Sequence, residues 1–162
     1  MALTDDDIQA AWKLFQKAYA LHMRGELADA IQAYKASITH YPTAEAHTFL
    51  GWAYSLLGLY EQAIAECHKA IAIDPTFGNP YNDIGAYLIE LGRWDEAIPW
   101  LEKAIQAPRY QARAFPFMNL GRVYEHKGEW LKALHFYRQA LALQPNYRLA
   151  REAYYTLLGK LN

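Results

Sequence analysis

A glycine and an alanine recur through this chain at a constant offset, and that period constrains its fold more than any other feature. Gly25, Gly58, Gly92 and Gly128 each stand five residues before Ala30, Ala63, Ala97 and Ala133. Seven residues further come Ser37, Ala70, Ala104 and Ala140. Pro42, Pro75 and Pro145 follow five residues after those, and in the third copy Pro108 comes one residue early. Successive alanines are 33, 34 and 36 residues apart. Such a period marks a stacked array, in which each unit buries its apolar face only against its neighbours. Four copies, at about 11–43, 44–77, 78–111 and 114–147, occupy most of the 162 residues. A single domain over 1–162 is therefore expected.

Each copy reads as two amphipathic helices. In the fourth, Phe117, Leu120, Gly121 and Tyr124 fall at the i, i+3, i+4 and i+7 positions of one helical face. Gly128 follows as a stop, the residue that tolerates a left-handed backbone. Trp130, Ala133, Leu134, Tyr137, Ala140 and Leu141 form a second stripe, which Pro145 cannot continue. The small residues Gly121 and Ala133 predict a close approach of the two helices. Copies two and three repeat the pattern around Gly51, Ala63 and Cys67, and around Gly85, Ala97 and Leu101. The rings on these stripes, Tyr54, Tyr60, Trp94, Tyr124, Trp130 and Tyr137, are expected in the packing seams. Thr4 with Asp7 predicts a helix start near Asp5. Residues 147–159 predict one more helix, without a partner, capping the array and ending at Gly159. Pro80 and Pro116 fall in first turns, where a missing N–H costs little. Pro99 lies deeper and predicts a kink or a late helix start. The two extra residues between copies three and four predict a longer connection around Gln106–Gln111.

These residues resemble the tetratricopeptide repeat family, whose unit is a helix–turn–helix of about 34 residues. The fourth copy carries the whole signature, and the second departs only at Cys67. The first departs at Lys17, Ala18 and Ser37. The resemblance implies an all-α fold, an α-α superhelix (a solenoid) of about nine antiparallel helices. It also implies a right-handed superhelix with the first helix of each pair on the concave side. The function it implies is a non-enzymatic protein-interaction adaptor or scaffold.

Composition narrows the alternatives. Apolar types make up 53% of the residues and aromatics 15%, too many for a disordered chain. The net charge of −1 argues against nucleic acid as a partner. No apolar run approaches the roughly 18 residues of a membrane span, and no membrane partner is expected. The acidic start, Thr4-Asp-Asp-Asp, is unlike a secretory signal. One cysteine forms no internal disulfide, and Cys67 reads as an inert buried thiol. A cytoplasmic location is the expectation. The six histidines are scattered, and neither a CxxC nor an HExxH occurs. No catalytic residue, metal or cofactor is expected.

The residues flanking the packing stripes of the first helices are the candidates for a peptide-binding groove. They are Trp12, Phe15, Tyr19, Phe49 and Trp52, followed by Asn79, Asn82, Asp83, Asn119, Arg122 and His126. His22, Glu45, Thr48, Phe115 and Met118 fall on the same flanks. Clustered rings supply contact area at low entropy cost, and amides both donate to and accept from an extended peptide. The alternative is that Trp12, Phe15 and Tyr19 pack on Phe49 and Trp52 and close the groove. Some members of the family clamp the terminal carboxylate of chaperone tails with Lys, Arg and Asn. The matching places here hold Phe15, Tyr19, Phe49, Asn79 and Asp83, which lack the cations, and Asp83 would repel a carboxylate. Residues 1–77 carry a net −4 and residues 78–162 a net +3. That polarity supports a second possibility, a structural protein that self-assembles into a weak homo-oligomer through its terminal helices.

Overall fold

The computed structural model describes residues 2–162. Among them are nine helices, linked by short connections: α1 (Asp5–Met23), α2 (Leu27–His40), α3 (Ala44–Leu56), α4 (Tyr60–Ile73), α5 (Asn79–Glu90), α6 (Trp94–Gln106), α7 (Ala114–His126), α8 (Trp130–Leu143) and α9 (Arg148–Leu161). The first opens on a capping box. The Thr4 hydroxyl accepts from the Asp7 N–H at 3.2 Å, and the Asp7 carboxylate accepts from the Thr4 N–H at 3.2 Å.

One turn, used four times, makes the helix pairs. Gly25, Gly58, Gly92 and Gly128 have φ between 75° and 80°, where only glycine rests without strain. In the last of them the Gly128 N–H donates to Glu125 and the Glu129 N–H to Tyr124, both carbonyls of the helix just ended. This is the Schellman arrangement, and the same pair of bonds recurs at the other three glycines. Within each pair the small residues do what their spacing predicts. A Cβ on Gly121 would lie 2.3 Å from the Tyr137 ring, and one on Gly85 would lie 2.4 Å from Leu101.

The core runs as a string of clusters along the array. Tyr34 and Leu50 anchor the N-terminal cluster, Ile84 and Leu101 the central one, and Tyr137 and Leu157 the C-terminal one. Ser37, in place of the usual alanine, is buried, and its hydroxyl donates to the Ala11 carbonyl at 2.7 Å. Lys17 points to solvent. Cys67 is fully buried, and desolvation pushes its thiol well up.

Four details differ from expectation or complete it. α6 begins at Trp94 and carries Pro99 in its interior, so there is no late start. Pro99 is exposed, and its missing N–H leaves the Asp95 carbonyl without its helical donor. α9 passes through Gly159 and ends at Leu161. Trp130 leaves the seam: it opens α8 and is 45% exposed, whereas Trp94, which opens α6, is covered by His126 of the next helix pair. The long connection falls where the extra residues predict it, at 107–113 between α6 and α7.

Candidate peptide-binding groove

The odd-numbered helices touch one another across repeats, α1 to α3, α3 to α5 and α5 to α7, and the even-numbered ones make no comparable contacts. Repeats are therefore closest together along the odd helices, which makes that face the inner one. Two cavities open on it.

The larger has a volume of about 820 Å³. Ile8, Trp12, Phe15 and Tyr19 of α1 form one wall, and Glu45 and Phe49 of α3 the other. Tyr41 and Thr43, from the α2–α3 connection, close its end. Phe15 meets Phe49 edge-on at 5.5 Å, Tyr19 meets Phe49 edge-on at 5.7 Å, and Trp12 stacks on Phe15 at 5.8 Å. Phe15 and Tyr19 thus pack on Phe49 and Trp12 on Phe15, and a cleft stays open beside them. Trp12 is 59% exposed and Tyr19 44%.

His22 does not face the cleft. It is buried beneath Trp52, with ring centres 4.3 Å apart, and its Nδ1 is 3.1 Å from the Tyr34 hydroxyl. Desolvation lowers its proton affinity, which keeps the ring neutral.

The smaller cavity, of about 270 Å³, lies on the other side of Phe49. Thr48, Phe49 and Trp52 of α3, Asn79, Asn82 and Asp83 of α5, Phe115 of α7 and the connecting residue Tyr110 line it. Desolvation pushes the Asp83 carboxyl up to about 7, partly opposed by a hydrogen bond with Asn82. Asn119 lies behind this wall. Its Nδ2 donates to Asn82 Oδ1 at 3.1 Å, and Arg122 donates both to Asn119, at 3.3 Å, and to Glu90, at 3.4 Å. Asn82 and Asn119 are buried and bonded to each other. Of the three amides expected to meet a peptide backbone, this leaves Asn79 as the half-buried one without such a partner side chain.

His126 is apart from both cavities. It ends α7 and stacks flat on Trp94 of the preceding pair, with ring centres 4.0 Å apart. The last turn of α7 overhangs the start of α6, so this residue meets the outer edge of the array instead of its inner face.

Tyr110, Tyr41 and Ile8 had no periodic signal, because two come from connections and the third precedes the first repeat. Tyr110 owes its position to the long connection. Phe77 and Arg109 form a backbone bridge, and Arg113 donates to the carbonyls of Ile105, in the last turn of α6, and of Ala107 and Tyr110. Gly78 makes room for the ring, since a Cβ there would lie 2.4 Å from Tyr110.

Among the described residues no group of three His, Cys, Asp or Glu side chains gathers as metal ligands would. No helix among them is long and apolar enough to cross a membrane.

Sequence models of the tetratricopeptide repeat match residues 14–44, 44–77 and 77–146. The chain is a tetratricopeptide repeat protein. A curated relative, small glutamine-rich tetratricopeptide repeat-containing protein 2 of Mycosarcoma maydis, is 28% identical over 104 residues. That match spans 64% of this chain and 30% of the relative, so the repeat array corresponds to less than a third of that protein's length. PilF of Pseudomonas aeruginosa superposes with a TM-score of 0.89 at 25% identity, over 96% of this chain and 71% of that one. YrrB, described as a tetratricopeptide repeat protein with an unusual peptide-binding site, superposes with a TM-score of 0.71 at 20% identity, over 92% of this chain and 75% of that one. These likenesses agree with the α-α repeat superhelix built by the nine helices.

Proposed function

We propose that this array is an adaptor that holds an apolar segment of a partner protein, a peptide or a short helix, in the cleft between α1 and α3. The observation that carries the reading is the cleft itself: about 820 Å³, walled by rings, with Trp12 and Tyr19 held open to solvent. Exposed aromatic clusters of this kind provide the anchor pockets of protein interfaces. The peptide-binding description of YrrB, a protein of the same fold, points the same way.

The test is the double variant Trp12→Ala/Tyr19→Ala, which removes exposed rings and leaves Phe15 and Phe49 in the core. Peptides selected on the wild-type chain from a random 12-residue library are expected to lose at least about tenfold in affinity on the variant, measured by calorimetry. Unchanged affinity on a folded variant refutes the assignment of the cleft.

A second reading, self-assembly, has its own observation. Leu149, Tyr155 and Leu161 of α9 are 58%, 61% and 43% exposed. α9 thus leaves apolar side chains open for the α1–α3 cleft of another copy, with the chain's opposed half-charges guiding the approach. Sedimentation velocity at two salt concentrations is expected to show a dimer that weakens as salt rises. A monomer throughout the micromolar range eliminates this reading.

A further inference from the structure

The smaller cavity has a chemistry that the aromatic cleft lacks. Its volume of about 270 Å³ falls below the roughly 300–1,000 Å³ of sites that take a whole small molecule, which suits a single side chain. Phe49 borders both cavities, so a segment lying in the cleft can drop one residue past Phe49 into the pocket.

Asp83 sets what that residue must be. Acidic side chains elsewhere in these repeats are met by a cation: Glu45 and Asp74 by Arg109, Glu90 by Arg122 and Glu66 by Lys69. Among the described residues Asp83 has no such cation. The titratable groups that feel its charge are Cys67 of α4, Tyr87 of α5 and Tyr110 of the α6–α7 connection; desolvation first, and the Asp83 charge after it, push the proton affinity of all three upwards. The surroundings of Asp83 therefore stay neutral. A desolvated carboxyl without a cation is costly in any fold, and perturbed groups of this kind concentrate at functional sites. The rest of the wall suits a cation as well. The rings of Trp52, Phe49 and Phe115 line the same pocket and attract a positive charge, and the amide carbonyl of Asn79 accepts from its N–H groups.

We propose that Asp83, with the rings of Phe49, Trp52 and Phe115, is the receptor for one lysine or arginine side chain of the segment bound in the aromatic cleft. The proposal rests on the cleft being the binding groove, and it specifies the partner: a short segment with an apolar anchor and a basic residue close to it. Charge complementarity extends beyond the pocket, since the first 77 residues, which build the cleft, carry a net −4. Bound there, the cation supplies the missing partner and holds Asp83 ionised.

Two measurements test it on the full chain. Peptides selected from the random 12-residue library are expected to carry a Lys or Arg at a constant distance from the apolar anchor. Replacing that Lys by norleucine, or Arg by citrulline, should cost at least about tenfold in affinity on the wild type and less than about twofold on Asp83→Asn. Circular dichroism reports whether Asp83→Asn is folded. Independently of any peptide, n-butylammonium should produce saturable shifts of the Trp52 indole N–H in nitrogen–proton correlation spectra. Neither 1-butanol on the wild type nor n-butylammonium on Asp83→Asn should do so. Peptides that depend on Trp12 and Tyr19 yet carry no basic residue overturn this inference and leave the groove reading standing. Peptides indifferent to Trp12→Ala/Tyr19→Ala overturn the groove reading itself. Absence of the butylammonium shifts overturns the cation pocket, whatever the library returns.

Discussion

At Asp83, burial moves the carboxyl from an ordinary value of 3.8 up to about 7. Between those values the folded chain holds a proton that the unfolded chain has released. Its contribution to stability is thus fully present below about pH 4 and is lost as the pH rises to 7. Asp83→Asn removes that titration and keeps the shape. The variant is expected to melt above the wild type at pH 8, by an amount on the order of 2 kcal/mol, with the gap narrowing towards pH 5. A gap that stays constant between pH 5 and 8 in thermal melts contradicts the assignment. Two other buried groups have the opposite sign. His22 is lowered by desolvation, and Glu66 is lowered overall by hydrogen bonds to His47 and Lys69 that outweigh its burial. Both cost stability as the pH falls, and both are shared by the two proteins, so the comparison cancels them. Nothing around position 83 in the sequence announces this behaviour. The sequence places Asp83 on the groove flank, but its desolvation exists only once the neighbours of α3 and α7 are in place.

Helix pairs depend on their small residues, and two glycines with opposite surroundings separate packing from propensity. At Gly121 a methyl group would press on the Tyr137 ring, which is fully buried and whose hydroxyl donates to Glu125 at 2.5 Å. Overpacking of about 1–3 kcal/mol outweighs the roughly 1 kcal/mol that alanine gains in helix propensity. Gly121→Ala should therefore lower the urea midpoint. Gly159 lies in α9 with nothing within 4 Å of its would-be Cβ. Gly159→Ala should raise the midpoint, by up to about 1 kcal/mol. If both substitutions shift the midpoint the same way, close packing at Gly121 is not what that position provides. The helix-level features were legible in advance, because caps and Schellman glycines act over four or five residues of chain and the close-approach residues recur at the repeat's fixed spacing. The capping box at Thr4, the four turns and the long connection all follow from such local rules. Pro99 shows their boundary: a proline that breaks an isolated helix is carried by α6, whose packing on α5 and α7 holds it together.

Across the molecule, contacts join each helix mainly to its sequence neighbours, so stability is expected to vary along the array instead of being shared evenly. The central cluster around Ile84 and Leu101 touches repeats on both sides, whereas α9 packs on α8 alone among its substantial contacts. Hydrogen exchange read by mass spectrometry should show α9 amides exchanging first and those of α4–α6 last. Uniform protection from end to end would contradict a linear array.

The number of helices, their pairing and the identity of their turns were determined by the sequence alone, since each is written in local spacings of Gly, Ala and Pro. Only the tertiary structure decided which side chains meet at the inner face. Asn119 bonded Asn82, Arg122 bonded Asn119 and Glu90, His126 went to Trp94, Trp130 was left half in solvent, and Tyr110 was brought beside Asp83. The reason is geometric. A residue on a helix flank is buried, paired or left open according to what the next repeat presents to it, some 30 residues away, and no local period encodes that juxtaposition.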